Sequence, residues 1–92
     1  MMPLSVFAIQ NAKPKAKAYK LADFESLYLL VKPNGSKLWQ MSYRYLGKQK
    51  TLSFGPFPLT TLAEARKKKD KAKKQIADGL DPQEEKRLEQ LH

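Results

Sequence analysis

Leu27 to Lys32 alternates residue by residue, with Leu27, Leu29 and Val31 on one side and Tyr28, Leu30 and Lys32 on the other, which is the period of a half-buried strand. Pro33-Asn34-Gly35-Ser36 follows, and its Asn-Gly pair favours the positive φ angles of a tight hairpin turn. Leu38 to Leu46 then reads as a second strand, with Trp39, Met41, Tyr43 and Tyr45 facing one way and Gln40, Ser42 and Arg44 the other. Gly47 marks another short turn. Lys48 to Phe54 reads as a third strand, its Leu52 and Phe54 on the apolar layer and its Gln49, Thr51 and Ser53 on the polar side. Pro56 and Pro58 lack the amide hydrogen a ladder needs, so the pattern predicts that the sheet stops at Gly55-Pro56-Phe57-Pro58.

After residue 59 the period changes. Thr61-Leu62-Ala63-Glu64 has the spacing of a capping box, in which the hydroxyl and the carboxylate satisfy the first free amides of a helix. Leu62, Ala65, Ala72, Ile76 and Leu80 form one helical stripe and Gly79 a C-terminal stop. Lys69 falls inside the stripe, where its stem is expected to pack along the sheet edge with the amine in water. The small alanines allow close approach to the sheet, with Trp39 and Tyr43 as the expected floor. Asp81-Pro82 restarts a polar helical segment, Gln83 to Leu91, with too few apolar residues for the core, so residues 1–80 are expected to form the domain and 81–92 the start of a linker. Upstream, Ser5 can cap a short turn over Val6 to Asn11, ended by Lys13-Pro14, and a basic extended stretch runs on through Lys20. The predicted fold class is α+β. It is a small antiparallel sheet of three or four strands, packed on one face by a C-terminal helix and preceded by a short helical turn.

Composition narrows the chemistry. A chain of 92 residues holds one small core. Its net charge of +9 favours anionic partners, nucleic acid or an anionic membrane surface, over small acidic substrates. The excess lies in residues 1–59, with nine basic and two acidic residues, together with all the aromatic residues from Phe7 to Phe57. There is no Cys, and the only His is His92, which excludes thiol chemistry, His-dependent triads and His or Cys metal sites. The acidic residues form no paired-carboxylate arrangement, Asp23 and Glu25 falling in a turn region and the others along the helices. The expectation is therefore no catalytic residue, no cofactor, no metal and no small-molecule substrate. Pro3 to Ile9 is too short for a signal-peptide core, and no run of about 18 apolar residues exists to span a bilayer, so a cytoplasmic chain without a membrane partner is expected.

Three features are candidates for function. The polar sheet face comprises Tyr28, Leu30, Lys32, Gln40, Ser42, Arg44, Gln49, Thr51 and Ser53. Such a face is ordinarily a solvated surface. Yet Arg forks onto guanine, Gln onto adenine, and Ser or Thr onto bases or phosphates, while no acidic residue is present to repel a phosphate. Lys32, Lys48 and Lys50 are the expected phosphate contacts beside it. The second feature is Arg66 to Lys74, in which seven of nine residues are basic; its simplest role is a solvated helix face, with part of it free to meet phosphates. The third is the N-terminal run of Lys13, Lys15, Lys17 and Lys20, either a groove-seeking arm or a segment without a role.

Several strings occur together in a set order: Asn11-Ala12-Lys13-Pro14-Lys15, Tyr19-Lys20-Leu21-Ala22-Asp23, Leu27 to Lys37 with Trp39, and Tyr43-Arg44-Tyr45. They are followed by Gly47-Lys48, Lys50 to Gly55, Pro58, Leu62-Ala63-Glu64-Ala65-Arg66 and Gly79-Leu80-Asp81-Pro82. In order and spacing the chain resembles the N-terminal arm-type DNA-binding domain of phage-P4-like tyrosine integrases, over roughly residues 5 to 87. The resemblance implies a helix-backed sheet laid in the DNA major groove at arm sites, with Gln40, Ser42, Arg44, Thr51 and Ser53 as the readers. It implies double-stranded DNA as the partner, and other integrase protomers in a full-length protein. It also implies strand exchange in a separate C-terminal domain with a tyrosine nucleophile, so this chain is expected to bind without catalysing. The chain departs from the pattern at Phe24-Glu25-Ser26, where relatives usually carry glycines, and at Gln40 and Ser42, which are often basic in relatives. Two rivals stand beside this reading: a general or structured-RNA binder, and a protein-interaction adaptor whose lysines serve solubility.

Overall fold

In the computed structural model, which describes residues 4–23 and 26–90, the elements run α1 (Val6–Gln10), β1 (Tyr19–Ala22), β2 (Leu27–Val31), β3 (Lys37–Tyr45), β4 (Lys48–Phe57), α2 (Leu62–Ala77) and α3 (Pro82–Gln90). The strands make one antiparallel sheet in the order β1-β2-β3-β4. The expected α+β class holds, and the sheet has four strands. The fourth is β1, whose residues are only intermediate or exposed and show no apolar period long enough to announce a strand. Pairing with β2 recruits it, Lys20 opposite Leu30 and Leu21 opposite Leu29.

Both hairpins differ in detail from their predicted form. Asn34 does not take positive φ; Lys32-Pro33-Asn34-Gly35 closes as a turn through the Gly35 N–H to the Lys32 carbonyl (2.9 Å), and Gly35 alone takes the left-handed conformation at φ +90°. Pro33 presets the second position of such a turn. At the next reversal Leu46 belongs to the turn, not the strand. Leu46 (φ +51°) and Gly47 (φ +77°) are the two central residues of a hairpin of the kind whose twist matches paired strands.

The sheet does not stop at Gly55. Strand β4 continues through Pro56 and Phe57, opposite Leu38 and Lys37, after a register shift at Trp39/Gln40. A proline is tolerated there because β4 is an edge strand. Gly55 sits at φ +120° with Thr60 Oγ1 2.6 Å from where a Cβ would be, so no side chain fits.

The core gathers Ile9, the odd-numbered residues of β2, Trp39, Met41 and Tyr43 of β3, Leu52 and Phe54 of β4, and Leu62, Ala65 and Ala72 of α2. Trp39 is wholly buried, and its indole N–H donates to the Thr60 carbonyl at 2.8 Å. The capping box forms as expected: Glu64 N–H donates to Thr61 Oγ1 (3.2 Å) and Thr61 N–H to Glu64 Oε1 (3.1 Å). At the other end Gly79 N–H reaches the Ile76 carbonyl and Leu80 N–H the Gln75 carbonyl, which turns the chain away before Leu80 can join the stripe. Leu80 is accordingly exposed. Lys69 departs from expectation as well: it is 4% exposed, with its amine 3.6 Å from the Asp70 carboxylate and not out in water.

Two buried aspartates tie distant segments to this core. Asp23 receives Arg66 through two hydrogen bonds (2.9 and 3.0 Å) and the Leu4 N–H (3.0 Å), and Arg66 also donates to the Leu4 carbonyl. Asp81 accepts from Tyr43 Oη, from Lys50 Nζ and from the Gln83 N–H. Helix α3 therefore starts from a fixed point, and Lys86 adds a bond to the Ser53 carbonyl at 2.7 Å. The Phe24-Glu25 part of the first turn and the last residue of the predicted Gln83–Leu91 segment lie outside the described residues.

Candidate nucleic-acid interface

The pleat of β2, β3 and β4 turns one set of side chains into the core and the alternate set outward, and the helical core residues of α1 and α2 all join the first set. The outward face is ordered by register. Arg44 lies opposite Gln49, and Ser42 opposite Thr51. Ala22, Tyr28, Gln40 and Ser53 form the next row across all four strands, and Lys20, Leu30, Leu38 and Pro56 the row after it. No acidic residue occupies any of these positions. Arg44, Gln49 and Thr51 are exposed, whereas Leu30, Gln40, Ser42 and Ser53 are half-buried. Lys32 follows β2 in the turn, half-buried.

Tyr28 lies on this face but is 7% exposed, so it is no open stacking platform. Its ring lies under Lys20 Nζ, 4.6 Å from the centroid, and its hydroxyl donates to Gln40 Oε1 at 3.0 Å. Gln40 Nε2 in turn donates to Ser53 Oγ at 3.3 Å. Lys20, singled out only as part of the basic N-terminal run, and Leu38, not singled out, thus belong to the face. Leu38 shares the parity of Gln40 and was legible from alternation; Lys20 lies on a strand without a visible period.

The predicted phosphate contacts divide. Lys48 is exposed at the start of β4. Lys50, two residues on, points to the helical side with its cross-strand partner Tyr43, and its amine is engaged by Asp81. Lys50, expected as a phosphate contact, thus lies by strand parity on the helical side, as Lys48 does opposite Tyr45, with its amine in this ion pair. Burial pushes the Asp81 carboxyl up, but bonds from Lys50, Tyr43 and the Gln83 N–H together outweigh it and hold the group below the usual carboxylate range. Burial, then the bond to Asp81, drives the Tyr43 hydroxyl well above the ordinary tyrosine value and keeps it a donor.

The basic helix is also partly committed. Arg66 is locked on Asp23, a bond that holds its guanidinium above the usual arginine value against the opposing effect of burial. Lys68 donates to the Phe54 carbonyl at 3.1 Å. With Lys86 on Ser53, these amines cover the outer edge of β4, a common protection for an unpaired strand. Lys67, Lys71, Lys73 and Lys74 are exposed. In the N-terminal run, Tyr19 Oη donates to the Lys13 carbonyl (2.6 Å) and Lys15 lies over the Tyr19 ring (4.6 Å), so that stretch folds back on β1. Among the described residues there is no group of three or more His, Cys, Asp or Glu side chains that could hold a metal, and no helix long and apolar enough to cross a membrane.

Comparison with known proteins identifies relatives over most of the chain. Residues 4–89 match the family model described as the arm DNA-binding domain. The integrase of Enterobacteria phage P4 is 48% identical over 83 residues, covering 88% of this chain and 19% of the relative. The integrase of Shigella phage Sf6 is 49% identical over 79 residues, 86% of this chain and 20% of the relative. The prophage integrase IntZ of Escherichia coli (strain K12) is 44% identical over 90 residues, 95% of this chain and 22% of the relative. The chain spans about a fifth of the length of the curated relatives it matches. On a family match that covers nearly every residue, and on a fold that leaves one sheet face bare of acidic groups, the chain belongs to the arm DNA-binding domain family.

Proposed function

We propose that this chain binds double-stranded DNA sequence-selectively, as the N-terminal module that positions a site-specific tyrosine recombinase at arm sites during integration or excision. Bases are read by Gln40, Ser42 and Arg44 of β3 with Gln49, Thr51 and Ser53 of β4. Phosphates are held by Lys32, Lys48 and exposed lysines of α2, while Lys50 stays on Asp81. Cleavage and strand exchange fall to the remainder of such an integrase. The observation that carries the reading is the uncovered β3–β4 ribbon with Arg44 opposite Gln49 and no carboxylate on its face. A two-stranded ribbon fits a major groove about 12 Å wide.

The test is binding of duplexes selected from a random pool. Arg44→Ala is expected to cost about 1–3 kcal/mol and to relax preference at one base pair. Lys48→Ala should instead weaken every sequence alike and lower the salt slope by about one. Unchanged affinity and selectivity in Arg44→Ala would overturn the assignment of the sheet face, and an RNA hairpin that displaces duplex DNA of equal length would shift the partner to RNA.

A further inference from the structure

Gln40 sits at the centre of the open face, flanked in register by Tyr28 on β2 and Ser53 on β4. Its terminal amide is held from both sides, with Oε1 accepting from Tyr28 Oη and Nε2 donating to Ser53 Oγ. A phenol donates more readily than it accepts, because its oxygen lone pair is delocalised into the ring, and that fixes Oε1 toward β2 and Nε2 toward β4. The Lys20 ammonium 4.6 Å from the Tyr28 ring centroid helps hold that ring in place beside Gln40. A primary amide has two acceptor lone pairs and two donor hydrogens. Tyr28 takes one acceptor position and Ser53 one donor. One acceptor position and one donor hydrogen of the half-buried side chain therefore remain for a partner.

Resting on the proposal that this face reads duplex DNA, we infer that Gln40 is an adenine reader whose amide is locked in the reading orientation by Tyr28 and Ser53. An adenine presents N6–H as donor and N7 as acceptor on its major-groove edge, which matches the acceptor and donor that remain on the amide; guanine presents two acceptors and cytosine a donor alone. A flipped amide would offer the donor and the acceptor in the opposite order, so the lock determines which way the adenine edge must face. Toward Gln40, Tyr28 and Ser53 act as positioning residues through these two hydrogen bonds, Ser53 in addition to the base contact proposed for it above. Locking the amide in advance also removes the rotamer entropy that a free glutamine loses on binding.

The test combines selection from a random duplex pool with one atomic change in the base. The chain is expected to select an A·T pair at one position, and replacing that adenine by 7-deazaadenine, which lacks the N7 acceptor, should weaken binding by roughly tenfold. Gln40→Ala should be indifferent to the same replacement. Tyr28→Phe and Ser53→Ala, with unfolding midpoints measured in parallel, should lower the A·T preference at that position several-fold, and Tyr28→Phe should do so at unchanged affinity for random duplex. Arg44→Ala should relax a different position and leave this one in place. The inference is overturned if Gln40→Ala still senses the 7-deaza base, if the position that depends on Gln40 is a G·C pair, or if Tyr28→Phe and Ser53→Ala both retain full preference. Any of these with Arg44→Ala still relaxing its own position leaves the sheet-face reading standing. Loss of no preference in either the Gln40 or the Arg44 variant overturns both.

Discussion

Gly55 shows how much a single position can carry. Its φ of +120° and the 2.6 Å from its would-be Cβ to Thr60 Oγ1 allow no side chain, and Thr60 cannot move aside easily because it is buried and its carbonyl receives the Trp39 indole. Gly55→Ala is expected to destabilise the fold by about 2 kcal/mol or more, read as a lower urea midpoint at unchanged slope. The clash pushes on the one hydrogen bond that orients the largest core side chain. An unchanged midpoint would mean that the Thr60 loop relaxes freely. On the open face the same scale appears at Gln40, whose amide is held by two hydroxyls from neighbouring strands.

At the scale of elements, each piece of secondary structure has a local cause and a tertiary limit. Helix α2 starts where Thr61 and Glu64 cap each other, and the exposed carboxyl of Glu64 titrates below its usual value, chiefly through the Thr61 N–H. Thr61→Ala is expected to cost about 1 kcal/mol, measured by chemical unfolding, because it orphans the Glu64 N–H while leaving the stripe intact. No loss would show that packing of Leu62 and Ala65 alone sets the start of the helix. The capping box was legible as a four-residue string, and so were the three strands that alternate. Strand β1 was not, because Tyr19–Ala22 is too short to show a period and forms only through its partner β2. The continuation of β4 through Pro56 was not legible either, because a proline is excluded from a ladder only when its strand has a neighbour on both sides.

Over the whole molecule, the two buried aspartates join parts that no local pattern connects. Asp23 ties the N-terminal segment to α2, and Asp81 ties the start of α3 to β3 and β4. The Asp81 carboxyl titrates below its unfolded value, so its contribution is complete above an unfolded pKa of about 4 and is lost as pH falls through the lower folded value. Asp81→Asn is expected to cost on the order of 2 kcal/mol near pH 7 and to flatten the acid limb of the stability curve, with thermal unfolding across pH 2 to 7 as the measurement. An acid limb of unchanged slope would show that the pair contributes nothing. The same junction fixes the start of α3, and with it the direction in which that helix leaves the sheet.

What the sequence determined by itself is what depends on neighbours a few residues away: the alternation of β2, β3 and β4, the capped start and glycine stop of α2, and the set of polar side chains on one sheet face. Pleat and helix turn are local geometries, so their periods are written into adjacent residues. Only the tertiary structure decided which charges remain available. Lys50 and Asp81 are 31 residues apart and Arg66 and Asp23 are 43 apart, and no spacing rule in the chain pairs them. A basic residue reads the same in a sequence whether it meets a phosphate or a buried carboxylate. Which of the two it meets is settled by the packing of the helices on the sheet, since that packing buries the carboxylates and brings their partners within reach.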